Sequence, residues 1–206
     1  MPGSKAKSDW KRGFLFVGNQ VALDFVNTRP LQNGEPTELL SDFAALLRWF
    51  QAAGLLNTDA VNKLEREWGG TPRAEKTVEA MRQFRENLRT EVLALEQGSP
   101  IRRSMIVELN RLLAEHPMRT RLINTRKGHA FESWFQAHKP EDLFAPLAHG
   151  AVSLFAELDR RRIRKCAECV LHFHDISKKG TRRWCSMQLC GNRHKVAAYA
   201  ARQRQA

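Results

Sequence analysis

All four cysteines of this 206-residue chain fall in one stretch, Cys166-Ala-Glu-Cys169, then fifteen residues, then Cys185-Ser-Met-Gln-Leu-Cys190, followed directly by Gly191-Asn192-Arg193. Two close thiol pairs separated by a short basic segment are the pattern of a four-thiolate zinc site, in which each pair supplies half of a tetrahedron. The surrounding module of about 45 residues is rich in Arg and poor in large aliphatics, too small and too polar to fold by burial alone. Thiolate zinc sites contribute folding free energy on the order of 10 kcal/mol at neutral pH, more than Val170, Leu171, Phe173, Ile176 and Trp184 would gain by packing. One structural Zn2+ held by Cys166, Cys169, Cys185 and Cys190 is therefore the expectation.

The wider second pair constrains the backbone. Five positions along an α-helix turn a side chain by about 500°, or about 140° net, so Cys185 and Cys190 cannot both face one ion from a regular helix. The spacing predicts Cys185 at the end of a strand and Cys190 near the first turn of a helix running to about Arg204. Knuckle, hairpin and helix together outline a treble-clef finger.

Charge divides the chain at the same place. The formal net charge is +12, and Arg160 to Ala206 holds 13 Lys and Arg against 2 Asp and Glu, which leaves residues 1–159 close to neutral. A concentrated cationic segment points to a polyanion, with duplex DNA first. The polar start, Met1 to Ser8, has no apolar signal core, so a cytoplasmic protein is expected. The most apolar stretch, Leu143 to Leu158, is shorter than a membrane span and is interrupted by Pro146 and His149, so no membrane partner is expected.

After a flexible N-terminus (residues 1–9), residues 10–159 read as a mainly α-helical domain with one small β-hairpin, an α+β arrangement overall. A strand-like run before Gly18 precedes helical spacing at Val21, Phe25 and Val26. Leu31 to Thr37 has loop chemistry, with Asn33-Gly34 and Pro36. Amphipathic helices are predicted from Ser41 as N-cap to Gly54, from Asn57 or Thr58 to Trp68, from Thr71-Pro72 to Leu95, and from Ser104 to Leu113. Short alternating runs around Lys127-Gly128 predict the hairpin between Met118 and Gln136. A last helix should start at Pro140 and end near Arg160 to Arg164, where positive charge suits its dipole. Residues 160–206 form the finger.

Cys166-x2-Cys169, Phe173-x-Asp175-x-Ser177, Arg182-Arg183-Trp184-Cys185-Ser186-Met187 and Cys190-Gly191-Asn192-Arg193 resemble the CGNR zinc-finger family. Ala22-Leu23-Asp24-Phe25-Val26-Asn27-Thr28 resembles the opening of the ABATE domain that precedes this finger in such proteins. Members are regarded as bacterial stress-induced transcription regulators. The resemblance implies DNA binding through the finger and sensing through the front domain.

In a regular terminal helix Asn192, Lys195, Tyr199 and Arg202 make one polar, cationic stripe, with Val196, Ala197, Ala200 and Ala201 turned toward the finger. Arg193 is a further candidate contact. Lys178, Lys179, Arg182 and Arg183 are candidate phosphate contacts, although the two arginines would also offset the net charge of a zinc tetrathiolate. Asp24, Asn27, Thr28 and Arg29 are candidates for a small-molecule effector pocket, against the reading of Asn27-Thr28 as a helix terminus. A homodimer would add a second half-site. No enzyme is expected: a deaminase built on Cys166-Ala-Glu would have its open metal position closed by Cys169, and no βαβ pattern surrounds Cys166-x-x-Cys169 as a redox pair. The non-enzymatic rival is a finger that binds structured RNA or a protein partner.

Overall fold

The computed structural model describes residues 9–205, so the expected flexible N-terminus lies outside it apart from Asp9. Asp9 is not loose. Its carbonyl accepts the Phe16 N–H at 2.9 Å and its carboxylate accepts the Ser186 hydroxyl, a residue of the cysteine-rich tail.

Two small hairpins flank the first helix: β1 (Trp10–Lys11) pairs with β2 (Phe14–Leu15), then α1 (Val21–Val26) follows, then β3 (Leu31–Gln32) pairs with β4 (Glu35–Pro36). The expected loop at Leu31–Thr37 is thus a hairpin. Asn33 and Gly34 sit at φ 53° and 89°, the two positive values that a two-residue turn of the I′ kind requires.

The helical body follows the amphipathic pattern. α2 (Phe43–Ala52) is capped by Asp42 rather than Ser41, because the Asp42 carboxylate reaches the Ala45 N–H at 2.7 Å while Ser41 only supports it. α3 (Thr58–Trp68) is capped by Asn57, and α4 (Pro72–Glu96) by Thr71 with Pro at its first position. α5 (Arg103–Glu115) begins with no side-chain cap, and Ser104 lies inside its first turn. β5 (Arg119–Thr125) and β6 (Gly128–Trp134) then form the expected hairpin.

The last helix of the body is shorter than its charge pattern predicts. Pro140–Leu143 is a 3-10 turn leading into α6 (Phe144–Ala156), and Arg160–Arg162 is a separate 3-10 turn. Asp159 starts that turn by accepting the Arg161 N–H at 3.0 Å, and Ile163–Lys165 departs as strand β7. The arginines therefore lead into the tail instead of ending a helix.

Aromatic edges organise the main core: the Trp49 ring meets Phe25 at 5.4 Å and Phe50 at 5.2 Å, both edge-on, and Phe84 meets Phe144 at 5.7 Å. Beside it, Arg85 is buried with its guanidinium forked on Glu38 at 2.7 and 2.5 Å. This pairing compensates a charge that would otherwise be costly to bury. A second, smaller core gathers Cys166, Leu171, Phe173, Cys185 and Cys190 with Leu15 and Val17, while Ile163 belongs to the main core. Each core thus takes residues from the other end of the chain.

Candidate metal centre

The first cysteine pair sits at the tip of a hairpin. β7 pairs antiparallel with β8 (His172–His174), with Lys165 opposite His172, and the Cys166 N–H donates to the Leu171 carbonyl at 2.8 Å to close the turn. Cys166 and Cys169 therefore project from one tight bend.

The second pair arrives differently from the expectation. Cys185 ends no strand, and residues 176–184 form no second hairpin. Asp175, fully buried, shapes this stretch by accepting the Ser177 N–H at 2.9 Å and the Arg182 N–H at 2.8 Å. A side chain that can bind two backbone donors replaces the ladder that a hairpin would have used. The Ala167 N–H then donates to the Arg183 carbonyl at 2.9 Å, setting Cys185 beside the first turn. Ser186 caps a π-helical turn, Met187–Gly191, which delivers Cys190 and is closed by the Gly191 N–H on the Ser186 carbonyl at 3.0 Å. α7 (Asn192–Gln205) continues from it, so Cys190 does stand at the start of the terminal helix.

The four sulfurs all lie within 4.8 Å of one another, and Cys185 is 3.7 Å from both Cys169 and Cys190. Sulfurs bound at about 2.3 Å to a tetrahedral zinc stand about 3.8 Å apart, so the spacing fits one ion. Their chemistry fits as well. Cys166 is held far below its usual pKa, chiefly by the Cys169 thiol hydrogen-bonded to it, whereas Cys169 is pushed up to about 12 by the same contact. Bonding to Cys166 and Cys169 raises Cys185, and burial raises Cys190. Four crowded sulfurs cannot all ionise by themselves, and a divalent cation removes that conflict. The Cys185 N–H donates to Cys166 Sγ at 3.3 Å, and Arg193 reaches Cys190 Sγ at 3.8 Å, both suited to thiolate charge. Cys166, Cys169, Cys185 and Cys190 are thus close enough together to hold one zinc ion, as the CGNR finger would require.

Of the candidate nucleic-acid residues, Lys178, Lys179, Arg183, Asn192, Arg193, Lys195, Tyr199 and Arg202 are exposed. Arg182 is not free: its guanidinium covers the Phe173 ring at 4.6 Å and donates to the carbonyls of Trp184, at 2.7 Å, and of Cys185. It is scaffold. The expected packing of α7 on the finger also differs. Val196 is 68 % exposed and Ala197 is exposed, while the side chain of Ala201 lies outside those described. The helix is held at its root, where His194 pairs with Glu168 at 2.6 Å and lies 5.6 Å from the Trp184 ring.

The candidate effector residues are engaged within the protein. Asp24 accepts the Gly18 N–H at 2.7 Å, and desolvation pushes its carboxyl up to about 7. Thr28 accepts from Arg85 at 3.1 Å, and Arg29 lies 3.6 Å from Glu86. Asn27 is buried and makes two bonds to one residue of the finger: its amide donates to the His172 carbonyl at 2.8 Å and accepts the His172 N–H at 2.9 Å. The His174 N–H donates to the Gly18 carbonyl at 2.8 Å and Asn19 donates to the His174 carbonyl at 2.9 Å. Alternate residues of a strand aim their backbone groups the same way, so β8 has β7 on one edge and the front domain on the other.

This seam joins residues far apart in the chain and leaves no mark in the local sequence. The alternation of Leu15 and Val17 was a strand signal, but no local pattern reveals that their partners lie some 150 residues on, and Asn27 looks like any helix terminus.

Residues 19–158 match the family model ABATE, described as "Putative stress-induced transcription regulator", and residues 162–203 match the model described as "CGNR zinc finger". No curated protein matches the chain. Among the described residues, no helix is long and apolar enough to cross a membrane.

Proposed function

The chain belongs to the ABATE family and carries a CGNR zinc finger, and from that premise we propose that it is a bacterial cytoplasmic transcription regulator that binds duplex DNA through its zinc-ordered tail. The observation that carries this reading is α7. It leaves the metal centre with Asn192, Lys195, Tyr199 and Arg202 exposed along one side, and Val196 uncovered on another. A helix about 10–12 Å across with its flanks free has the dimensions of the major groove, about 12 Å wide. Asn192 then faces adenine edges and Lys195 or Arg202 faces guanine, while Lys178, Lys179 and Arg183 meet phosphates. The knuckle at the β7–β8 turn and Cys190 at the root of α7 keep two parts of a treble-clef outline, with the stretch that Asp175 shapes in place of the hairpin between them.

A sensing role is supported by a cleft of about 680 Å3 between β3–β4 and the metal centre, lined in part by Leu31, Gln32, Val170 and Arg193. Small-molecule sites of about 300–1,000 Å3 at such junctions are common. Of the candidate effector residues, Asn27 then acts by holding the finger and Asp24 by holding the Gly18 turn beside it, whereas Thr28 and Arg29 pair within the front domain.

The test is retention of genomic fragments by the purified zinc-loaded protein at physiological salt, beside a Cys190→Ser control. Selective retention by the zinc-loaded protein alone is expected. With about six phosphates engaged, log K falls against log salt with a slope near −5. A flat salt response, or equal retention by the control, contradicts the proposal.

A further inference from the structure

The arginines that leave α6 for the tail gather at the joint between the two domains. Arg160, Arg161 and Arg164 line a groove of about 380 Å3, together with Leu95, Glu96 and Ile163. The acids around it are already engaged. Glu96 accepts the Lys165 N–H, Asp175 accepts the N–H groups of Ser177 and Arg182, and Asp159 holds Arg161 at 3.0 Å on the surface. An ion pair as exposed as that last one contributes little, and its arginine can turn to another anion. Arg160 is exposed and pairs with no acid among the described residues.

The finger brings its own cations to the same place. Arg162 donates to the carbonyls of Asp175, at 2.9 Å, and Ser177, at 2.8 Å, and Arg164 donates to the Gly180 carbonyl at 2.9 Å. These bonds fasten residues 177–180 against the joint, and Lys178 and Lys179 in that loop are both exposed. From the loop the chain returns to the metal centre. There the exposed Arg183 lies over the Trp184 ring at 5.6 Å, and that ring is 5.6 Å from His194 of α7. Exposed cations therefore run from the joint, along the finger, to the terminal helix.

We infer, on the strength of the DNA-binding reading above, that the joint belongs to the same surface: Arg160 and Arg161, beside Lys178 and Lys179, grip phosphates of the strand that borders the groove entered by α7. Guanidinium groups bond phosphate oxygens as a fork, which suits them to this role. Spacing agrees. The three residues of β7 carry the run about 10 Å from the knuckle, and one DNA strand offers a phosphate about every 3.4 Å along the axis, so about three fall within it. Contact at the joint also sets the front domain against the duplex, because Ile163, next to those arginines, is buried in the front domain's core. Phosphate contacts of this kind fix orientation and carry no sequence preference.

The experiment is a fluorescence anisotropy titration of the full-length zinc-loaded protein on a labelled mixed-sequence duplex of about 20 base pairs, between about 50 and 200 mM NaCl. An Arg160→Gln, Arg161→Gln double variant should bind roughly 10-fold more weakly and lower the steepness of log K against log salt by about 1 to 2, with helical signal and zinc content unchanged. A control with the same loss of charge, Arg126→Gln, Lys127→Gln on the β5–β6 turn, should keep the wild-type slope. A folded joint variant with the wild-type slope, or a control that loses as much, overturns the inference while DNA binding stands. A wild type that does not hold the duplex overturns the DNA-binding reading and this inference with it.

Discussion

The front domain and the finger are held together by different kinds of force. The front domain buries Leu46, Leu47, Trp49, Phe84 and Leu88 in a contiguous core, and its helices follow from the spacing of those residues. The finger buries three cysteines, Leu171 and Phe173, borrows Leu15 and Val17, and otherwise rests on hydrogen bonds from Asp175, Arg182 and Asn27. A core built from periodic side chains tolerates local loss, whereas a module built around one ion and a seam of polar contacts does not. The finger should therefore respond to changes that leave the helical body standing.

The largest contrast comes from the metal. Chelation, or Cys185→Ser, removes folding free energy on the order of 10 kcal/mol from the finger. Circular dichroism should then retain the signal of α2 to α6 and their cooperative melt, while backbone protection disappears in residues 163–191. Loss of both domains together would break the comparison.

Asn27 tests the seam. Asn27→Ala leaves the His172 N–H and carbonyl buried without partners, at about 1–3 kcal/mol each. Hydrogen exchange at His172 and His174 should accelerate and the melting temperature fall, with zinc still bound.

The same seam carries a pH signature. His172 is buried, its ring nitrogens have no hydrogen-bond partner among the described residues, and burial holds its pKa down to about 4, with Arg89 and Lys165 adding to the effect and Glu96 3.8 Å away. The unfolded chain takes up this proton below about 6.5 and the folded chain only near 4. Stability is thus complete above the first value and is lost on acidification, by up to about 3 kcal/mol. Comparing His172→Phe with wild type in urea melts from pH 7 to 5 should remove that part of the slope. Asp24 has the opposite sign: its raised pKa makes the folded state less favourable as pH rises toward 7, so Asp24→Asn should raise the melting temperature at pH 8.

Gly18 sharpens the comparison at smaller scale. A Cβ there would come within 2.8 Å of the Asp24 backbone N and of Leu23 Cβ. Gly18→Ala should cost about 1–3 kcal/mol by displacing the turn that receives His174. Arg183→Ala, on the exposed finger surface, should leave stability within about 0.5 kcal/mol while lowering the salt slope of DNA binding by about 1.

The parts of this structure that could be read in advance are those encoded locally. Asn57, Thr71-Pro72 and the stripe Val78, Met81, Phe84 and Leu88 place α3 and α4 within a residue or two, and the thiol spacing identifies all four sulfurs. The misses share one cause. Arg160–Arg162 suits a helix C-terminus by charge, yet strand pairing of Ile163–Lys165 with β8 overrides that preference. Helix geometry requires Cys185 to precede the helix and suggests a strand there, whereas Asp175 shapes the approach with one carboxylate and no ladder. Asn27 and Arg182 hold backbone groups far away or folded back, and no short window of sequence reports such partners.

The metal content and ligand set of the purified protein bear most directly on the whole reading. X-ray absorption at the zinc edge should show one ion per chain surrounded by four sulfurs at about 2.3 Å. A protein that holds no zinc, or an ion bound by nitrogen and oxygen in place of these thiolates, would contradict it.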